Sequence, residues 1–236
     1  MTEERPDERP STTAAFGAAA QRSGLGTVRP GETPTAGALL AAVGGVRGLV
    51  ESILPGLAFL VAYTVTGELL PSVLIPLGVG VVFVVVRLVQ RSAVIPAVAG
   101  LLGIGVSAAL ALLTGDVNDN FVPGLLTNIA FLLVAIISVV ARRPMIGIIV
   151  GLLAQDPHWR ADAAKLRVAS VATWVWAGLF AARLAVQGPL YLAGATSALA
   201  ATKLLMGVPL YAGVLWVIWL LIRSVWGRGA AGSTPA

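Results

Sequence analysis

From Val73 to Val86 the chain reads VLIPLGVGVVFVVV, with no charged or hydrogen-bonding side chain, and apolar stretches of this kind recur along its 236 residues. A hydrocarbon layer about 30 Å thick is crossed by about 20 mostly apolar residues in helical form. Backbone exposed to lipid must satisfy its own hydrogen bonds, which leaves helices or a closed barrel. Barrel strands alternate polar and apolar positions, so continuous runs predict helices. The composition agrees: 57% of residues are hydrophobic and 11% charged, against about 25% charged in soluble domains, and the mean hydropathy is +0.90.

Six crossings are expected, making the chain an all-α polytopic membrane protein. The first covers about Glu51 to Gly67 and the second about Pro71 to Leu88, with a tight Gly-Glu-Leu-Leu turn between them. The third covers about Val94 to Thr114 and the fourth about Phe121 to Ala141, separated by the acidic, turn-prone segment Gly115 to Asn120. Met145 to Ala154 is apolar but too short to span, and reads as an interfacial helix or a segment that dips in and out. The fifth crossing runs about Val168 to Gln187. A connection rich in small residues, Gly188 to Thr202, leads to the sixth, about Lys203 to Ile222. Residues 1–35 read as a disordered cytoplasmic tail, because Pro, Glu, Arg, Ser and Gly offer too little apolar surface to offset ordering. Within the expected membrane domain, residues 36–226, the segment Ala36 to Val50 suggests a weak interfacial helix, and 227–236 a flexible C-terminal tail.

The basic residues orient this arrangement. Arg5, Arg9, Arg22, Arg29 and Arg47 precede the first span; Arg87 and Arg91 follow the second; Arg142, Arg143, Arg160, Lys165 and Arg167 lie between the fourth and fifth; Arg223 and Arg228 follow the sixth. The turns after spans one and three carry only Glu68, Asp116 and Asp119. Both termini are therefore expected in the cytoplasm and the chain in the inner (plasma) membrane, with Lys203 the exception at an outer end. Because the charges flank apolar helices, they read as orientation signals that touch anionic lipid, and no nucleic-acid partner is expected.

The sequence excludes much chemistry. It has no cysteine and one histidine, His158, so disulfides, thiolate catalysis, cysteine metal sites and bis-histidine haem are ruled out. No Walker motif, nucleophile elbow, HExxH or selectivity-filter sequence is present. No catalytic residue, metal site or cofactor is expected, and no enzymatic activity.

Polar groups at membrane depth are the remaining candidates. Glu51 opens span one, as a solvated helix-start charge or in contact with Arg47, Arg87 or Arg91 across the hairpin. Arg183 lies four residues, about 6 Å, inside the outer end of span five. It is expected to pair with Asp116 or Asp119, to snorkel, or to build an anion pocket with Lys203, Gln187 and Tyr191. Asn128 in span four is expected to bond a neighbouring helix. Ala99, Gly103 and Ser107, and likewise Ala169, Thr173, Ala177 and Ala181, form small-residue stripes suited to close helix packing or to lining a passage. The cytoplasmic loop carries His158, Trp159 and Arg160; its Trp, like Trp174, Trp176, Trp216, Trp219 and Trp226, reads as an interface anchor or packing group.

Trp159 to Leu221, with Thr173-Trp174-Val175-Trp176, Phe180, Arg183, Gln187-Gly188-Pro189-Leu190-Tyr191 and Lys203 to Tyr211, resembles an uncharacterised actinobacterial integral-membrane family known only as a domain of unknown function. The likeness covers about Gly48 to Val225. More distantly, Glu51 to Tyr63, the Asn/Asp-rich turn before Phe121, the Arg-Arg-Pro-Met-Ile segment and the Trp-Arg ahead of span five resemble the intracellular septation protein A family, although the spacing from Arg167 to Trp174 departs from that pattern. This resemblance implies a related multi-helix fold and a structural or interaction role in cell-envelope maintenance or septation. The partners so implied are membrane lipids, envelope or division proteins, and further copies of the chain. The alternative carried by the residues themselves is a small-solute or anion transporter or channel with Arg183 and Lys203 at its outer mouth.

Overall fold

A computed structural model describes residues 45–226 except Ala93 and Gln155. The expected tails, and the segment Ala36 to Gly44, lie outside the described residues. All regular structure among the described residues is helical: α1 (Gly45–Thr66), α2 (Leu69–Val89), α3 (Ile95–Thr114), a 3-10 turn (Val117–Phe121), α4 (Val122–Val140), α5 (Met145–Leu153), a second 3-10 turn (Trp159–Ala161), α6 (Ala163–Leu192), α7 (Thr196–Leu205) and α8 (Val208–Trp226). Five segments are long and apolar enough to cross a membrane: Leu69–Val89, Ile95–Thr114, Val117–Val140, Ala163–Leu192 and Thr196–Trp226. The apolar part of α1, Val50–Thr66, is shorter than these.

The boundaries follow from local chemistry. Gly67 takes a left-handed φ of 67° and donates to the carbonyl of Tyr63, which ends α1 and leaves only Gly67 and Glu68 between α1 and α2. The expected four-residue turn is thus shorter, with Leu69 already helical. Gly115 ends α3 in the same way. The acidic segment is a compact 3-10 turn that Asp116 opens by accepting from the Asn118 N–H at 2.8 Å.

Two differences from the sequence reading concern the last spans. Gly188, Pro189 and Gly194 suggest a connection, yet α6 continues to Leu192 and α7 begins at Thr196, so most of Gly188 to Thr202 is helical. Gly and Pro break helices in water but are tolerated at membrane depth, where neighbouring groups satisfy the freed backbone. The sixth span, in turn, is discontinuous: α7 stops at Leu205 and α8 starts at Val208. A Cβ at Gly207 would stand 2.9 Å from the Lys203 carbonyl and 3.1 Å from that of Leu204, so glycine suits the two-residue interruption, and Pro209 suits the first turn of the new helix.

Contacts divide the helices into an α1–α2–α3 group and an α4–α6–α8 group. α7 bridges them by lying on α1, where Gly56 leaves room for Leu204. At one end, the acidic face, Phe59, Val73, Ala108, Ala111, Phe121, Leu199 and Ala200 form a buried cluster. Beside it the Thr196 hydroxyl donates to Asn118 at 2.8 Å and the Tyr191 hydroxyl to Asp119 at 2.7 Å. At the other, arginine-rich end, Trp159 is buried with Ile146, Ala169, Ala172, Ile218, Ile222 and Trp226. The nine-residue α5 packs Ile146, Gly147 and Gly151 inward and leaves Ile148, Ile149 and Leu152 exposed. It is too short to span, and its Ile146 N–H donates to Thr173 Oγ1 at 3.2 Å. Ala169, Thr173 and Ala177 of the expected stripe are buried and serve this close packing. Ala181 is exposed.

Candidate functional site

α8 packs on α6 and hardly touches α1, α2 or α3. A cavity of about 820 Å³ occupies the gap. It runs from Asn120, Phe121 and Ala200 beside the acidic-face cluster to Gly48, Glu51, Ser52 and Trp216 nearer the arginine-rich end, past Gly56, Gly100, Gly103 and Ile104. Of the α3 stripe expected to serve helix contact or a passage, Gly103 and Ser107 line this space and Ala99 does not; a Cβ at Gly103, or at neighbouring Gly100, would meet nothing within 4 Å.

Two cations enter this space. Arg183 is only 9% exposed and Lys203 is half-buried, and both line the cavity. Because α6 runs on to Leu192, Arg183 sits nine residues, about 13 Å, inside the helix end, deeper than the sequence reading placed it. Its Nε has no hydrogen-bond partner. The expected pairing with Asp116 or Asp119 is not formed: Asp119 receives Tyr191, and Asp116 caps the 3-10 turn. Snorkelling to the surface is contradicted by the burial. Instead the Arg183 guanidinium lies 5.3 Å from the ring centroid of Tyr211, which Trp176 and Phe180 hold by edge contacts. The Lys203 ammonium lies 5.1 Å from the ring centroid of Phe121, which meets Phe59 edge-on. Among the described residues neither cation has a carboxylate partner within salt-bridge distance. Cation–π contacts offset only part of the loss of water.

Of the four residues weighed as an anion pocket, the structure brings Arg183 and Lys203 together and sets the other two aside. Tyr191 spends its hydroxyl on Asp119. Gln187 is buried one turn beyond Arg183 on α6, its amide nitrogen unpartnered, but it does not line the cavity. Tyr211 and the α7–α8 break at Gly207 and Val208, all lining it, were missed. Asn128, expected to bond a neighbour, is buried with its amide nitrogen unpartnered.

At the opposite end of the cavity, Glu51 binds Arg87 across the α1–α2 hairpin. Arg87 Nε donates to Oε2 at 2.7 Å and its Nη2 lies 2.6 Å from the same oxygen. The side chains are 10% and 12% exposed, so Glu51 is a paired charge and not a solvated helix start.

Residues 43–228 match the model of a family described as a protein of unknown function (DUF3159). The chain belongs to that family. The match takes in every helix among the described residues and the whole cavity. No curated protein and no solved structure matches the chain.

The loop residues His158, Trp159 and Arg160 of this family member part company. Trp159 is buried against Gly147 and Gly151 of α5, so it is a packing group and not an interface anchor. His158 and Arg160 are exposed and border a shallow basic depression with Arg142. Nearby, the Lys165 ammonium, 2.7 Å from Asp156, holds that carboxyl below the usual carboxylate range. Among the described residues no cluster of His, Asp and Glu could hold a metal ion.

Proposed function

We propose that this multi-pass membrane protein binds an anionic solute between its helices and carries it, as a transporter or binding protein, without enzymatic chemistry. One observation carries the reading: Arg183 and Lys203 converge on one cavity, and among the described residues no carboxylate pairs with either, Glu51 at its far end being bound to Arg87. Like charges held out of water are costly, and an anion entering the cavity relieves that cost. The expected sixth span adds to this, because it is interrupted near Lys203 and sets Gly207 and Val208 on the wall of the same space, in the manner of discontinuous transporter helices.

The structural role in envelope maintenance or septation rests on the resemblance of Glu51 to Tyr63 and the acidic turn to septation proteins, and a scaffold acting by lateral contacts needs no inward-facing cations. Counting α1 as a sixth crossing, the distribution of Arg and Lys supports both termini in the cytoplasm and the arginine-rich end facing inward across the plasma membrane.

Native mass spectrometry of the protein released from a lipid-like detergent tests the reading. An anionic molecule retained by the wild type and lost from Arg183→Ala is expected. Only neutral or zwitterionic lipid, equally retained by both, would contradict it.

A further inference from the structure

We propose that the ligand is an amphiphile with one compact anionic head, a phosphate or carboxylate, and an apolar chain, the head lying between Arg183, Lys203 and the first turn of α8. The inference rests on the anion-binding reading and adds the substrate class to it.

The head site has three contributors. Arg183 offers an unpartnered Nε from a side chain more than nine-tenths buried. Lys203 leans on Phe121 from the other side. The break at Met206 and Gly207 places the start of the nineteen-residue α8, with Gly207 and Val208, on the cavity wall. There the Gly207 N–H already donates to the Leu204 carbonyl at 3.1 Å and the Tyr211 N–H to that of Gly207, and Pro209 has no N–H, so α8 contributes the positive end of its dipole more than free donors.

The rest of the cavity is shaped for something else. A free phosphate has five non-hydrogen atoms; even at the volume of five waters it would occupy about 150 Å³, leaving most of the 820 Å³ empty. That remainder is walled mostly by apolar side chains and by the bare backbone of Gly100 and Gly103, with Ser52, Ser107 and Asn120 as scattered polar groups, a surface better suited to a hydrocarbon chain than to hydrated ions.

Charge at the far end fixes the polarity of the ligand. Phe59, which touches the ring under Lys203, and Glu51 are eight residues apart on α1, about 12 Å. A second negative group lying there would meet the Glu51 carboxylate, whose charge Arg87 already takes up, and would find no Lys or Arg on that part of the wall among the described residues. The ligand is therefore anionic at one end only.

Thermal unfolding in phosphatidylcholine nanodiscs, with dodecyl phosphate, inorganic phosphate and dodecyl maltoside as probes, separates the two readings, since a ligand bound only by the folded state raises the midpoint. Dodecyl phosphate is expected to stabilise the wild type at concentrations at least about tenfold below inorganic phosphate, a difference of about 1.4 kcal/mol. Arg183→Gln and Lys203→Gln should each lose that response about tenfold or more. Gly103→Leu, which places a side chain in space that nothing occupies, should abolish the response to dodecyl phosphate while leaving the head site intact. If inorganic phosphate acts as well as dodecyl phosphate and Gly103→Leu is silent, the anion site stands and the amphiphile is overturned. If dodecyl maltoside acts as well and neither Gln variant matters, the anion reading itself falls. Phosphatidate doped into the disc identifies the source: stabilisation by it alone points to a bilayer lipid, and a response confined to dodecyl phosphate points to a single-chain amphiphile from the aqueous phase.

Discussion

Glu51 with Arg87 and Arg183 with Lys203 belong to the same membrane interior, yet they are built on opposite rules. In the first, opposite charges close to 2.6 Å across the α1–α2 hairpin. In the second, two like charges face one cavity, each against an aromatic face and, among the described residues, without a carboxylate partner. A buried pair is nearly neutral for stability but costly to break from one side. Like charges held together lower stability unless something outside the chain neutralises them. The first arrangement holds the hairpin together; the second, in the function proposed above, holds a place for a ligand.

Removing one partner should therefore have opposite signs at the two places. Arg87→Met leaves Glu51 without this partner in a nearly buried position and should cost about 3 kcal/mol in reversible denaturation from mixed micelles. Adding Glu51→Leu should restore most of it. The contrast between packed and open glycines comes next. Gly147→Ala would set a Cβ 2.5 Å from the Trp159 ring and 2.7 Å from Ala169, costing about 2 kcal/mol, whereas Gly103→Ala should stay within about 0.5 kcal/mol of wild type. Arg183→Met, measured without ligand, should raise stability by roughly 1 kcal/mol, because a desolvated unpaired charge is replaced by a side chain that suits its surroundings.

The smallest effect is expected at the solvent-facing pair. Asp156→Asn should cost about 0.5 kcal/mol, since the pair with Lys165 is partly exposed. Lys165 lowers the folded-state value of Asp156, so this contribution is fully present above the ordinary carboxylate value of 3.8 and lost as pH falls through the lower folded value. The difference between wild type and Asp156→Asn should be constant at neutral pH and vanish in acid, by denaturation at stepped pH.

Helical crossings were legible in the sequence because run length against bilayer thickness is a one-dimensional test, and the Glu51 contact with Arg87 was legible as one of a few partners a short hairpin allows. What escaped depends on neighbours. The surroundings of Arg183 were misread because Gly188 and Pro189 seemed to end α6, which set the guanidinium too near the acidic turn. The broken sixth span did have a signal: Gly207 followed two residues later by Pro209 matches a helix stop and a new helix start, hidden within an apolar run. For Trp159 the choice between interface anchor and packing group stayed open because the pocket that buries it, made by Gly147 and Gly151 one turn apart, becomes visible only when α5 folds back onto α6.

In the function proposed above, Arg183 and Lys203 are an electrostatic cost that an anionic ligand relieves. The most direct measurement compares the unfolding midpoints of wild type and Arg183→Met, each with and without dodecyl phosphate. Without it, the variant should be the more stable protein; with it, the order should reverse. If Arg183→Met is destabilised in both conditions by the same amount, Arg183 is a structural residue and the cavity does not hold an anion.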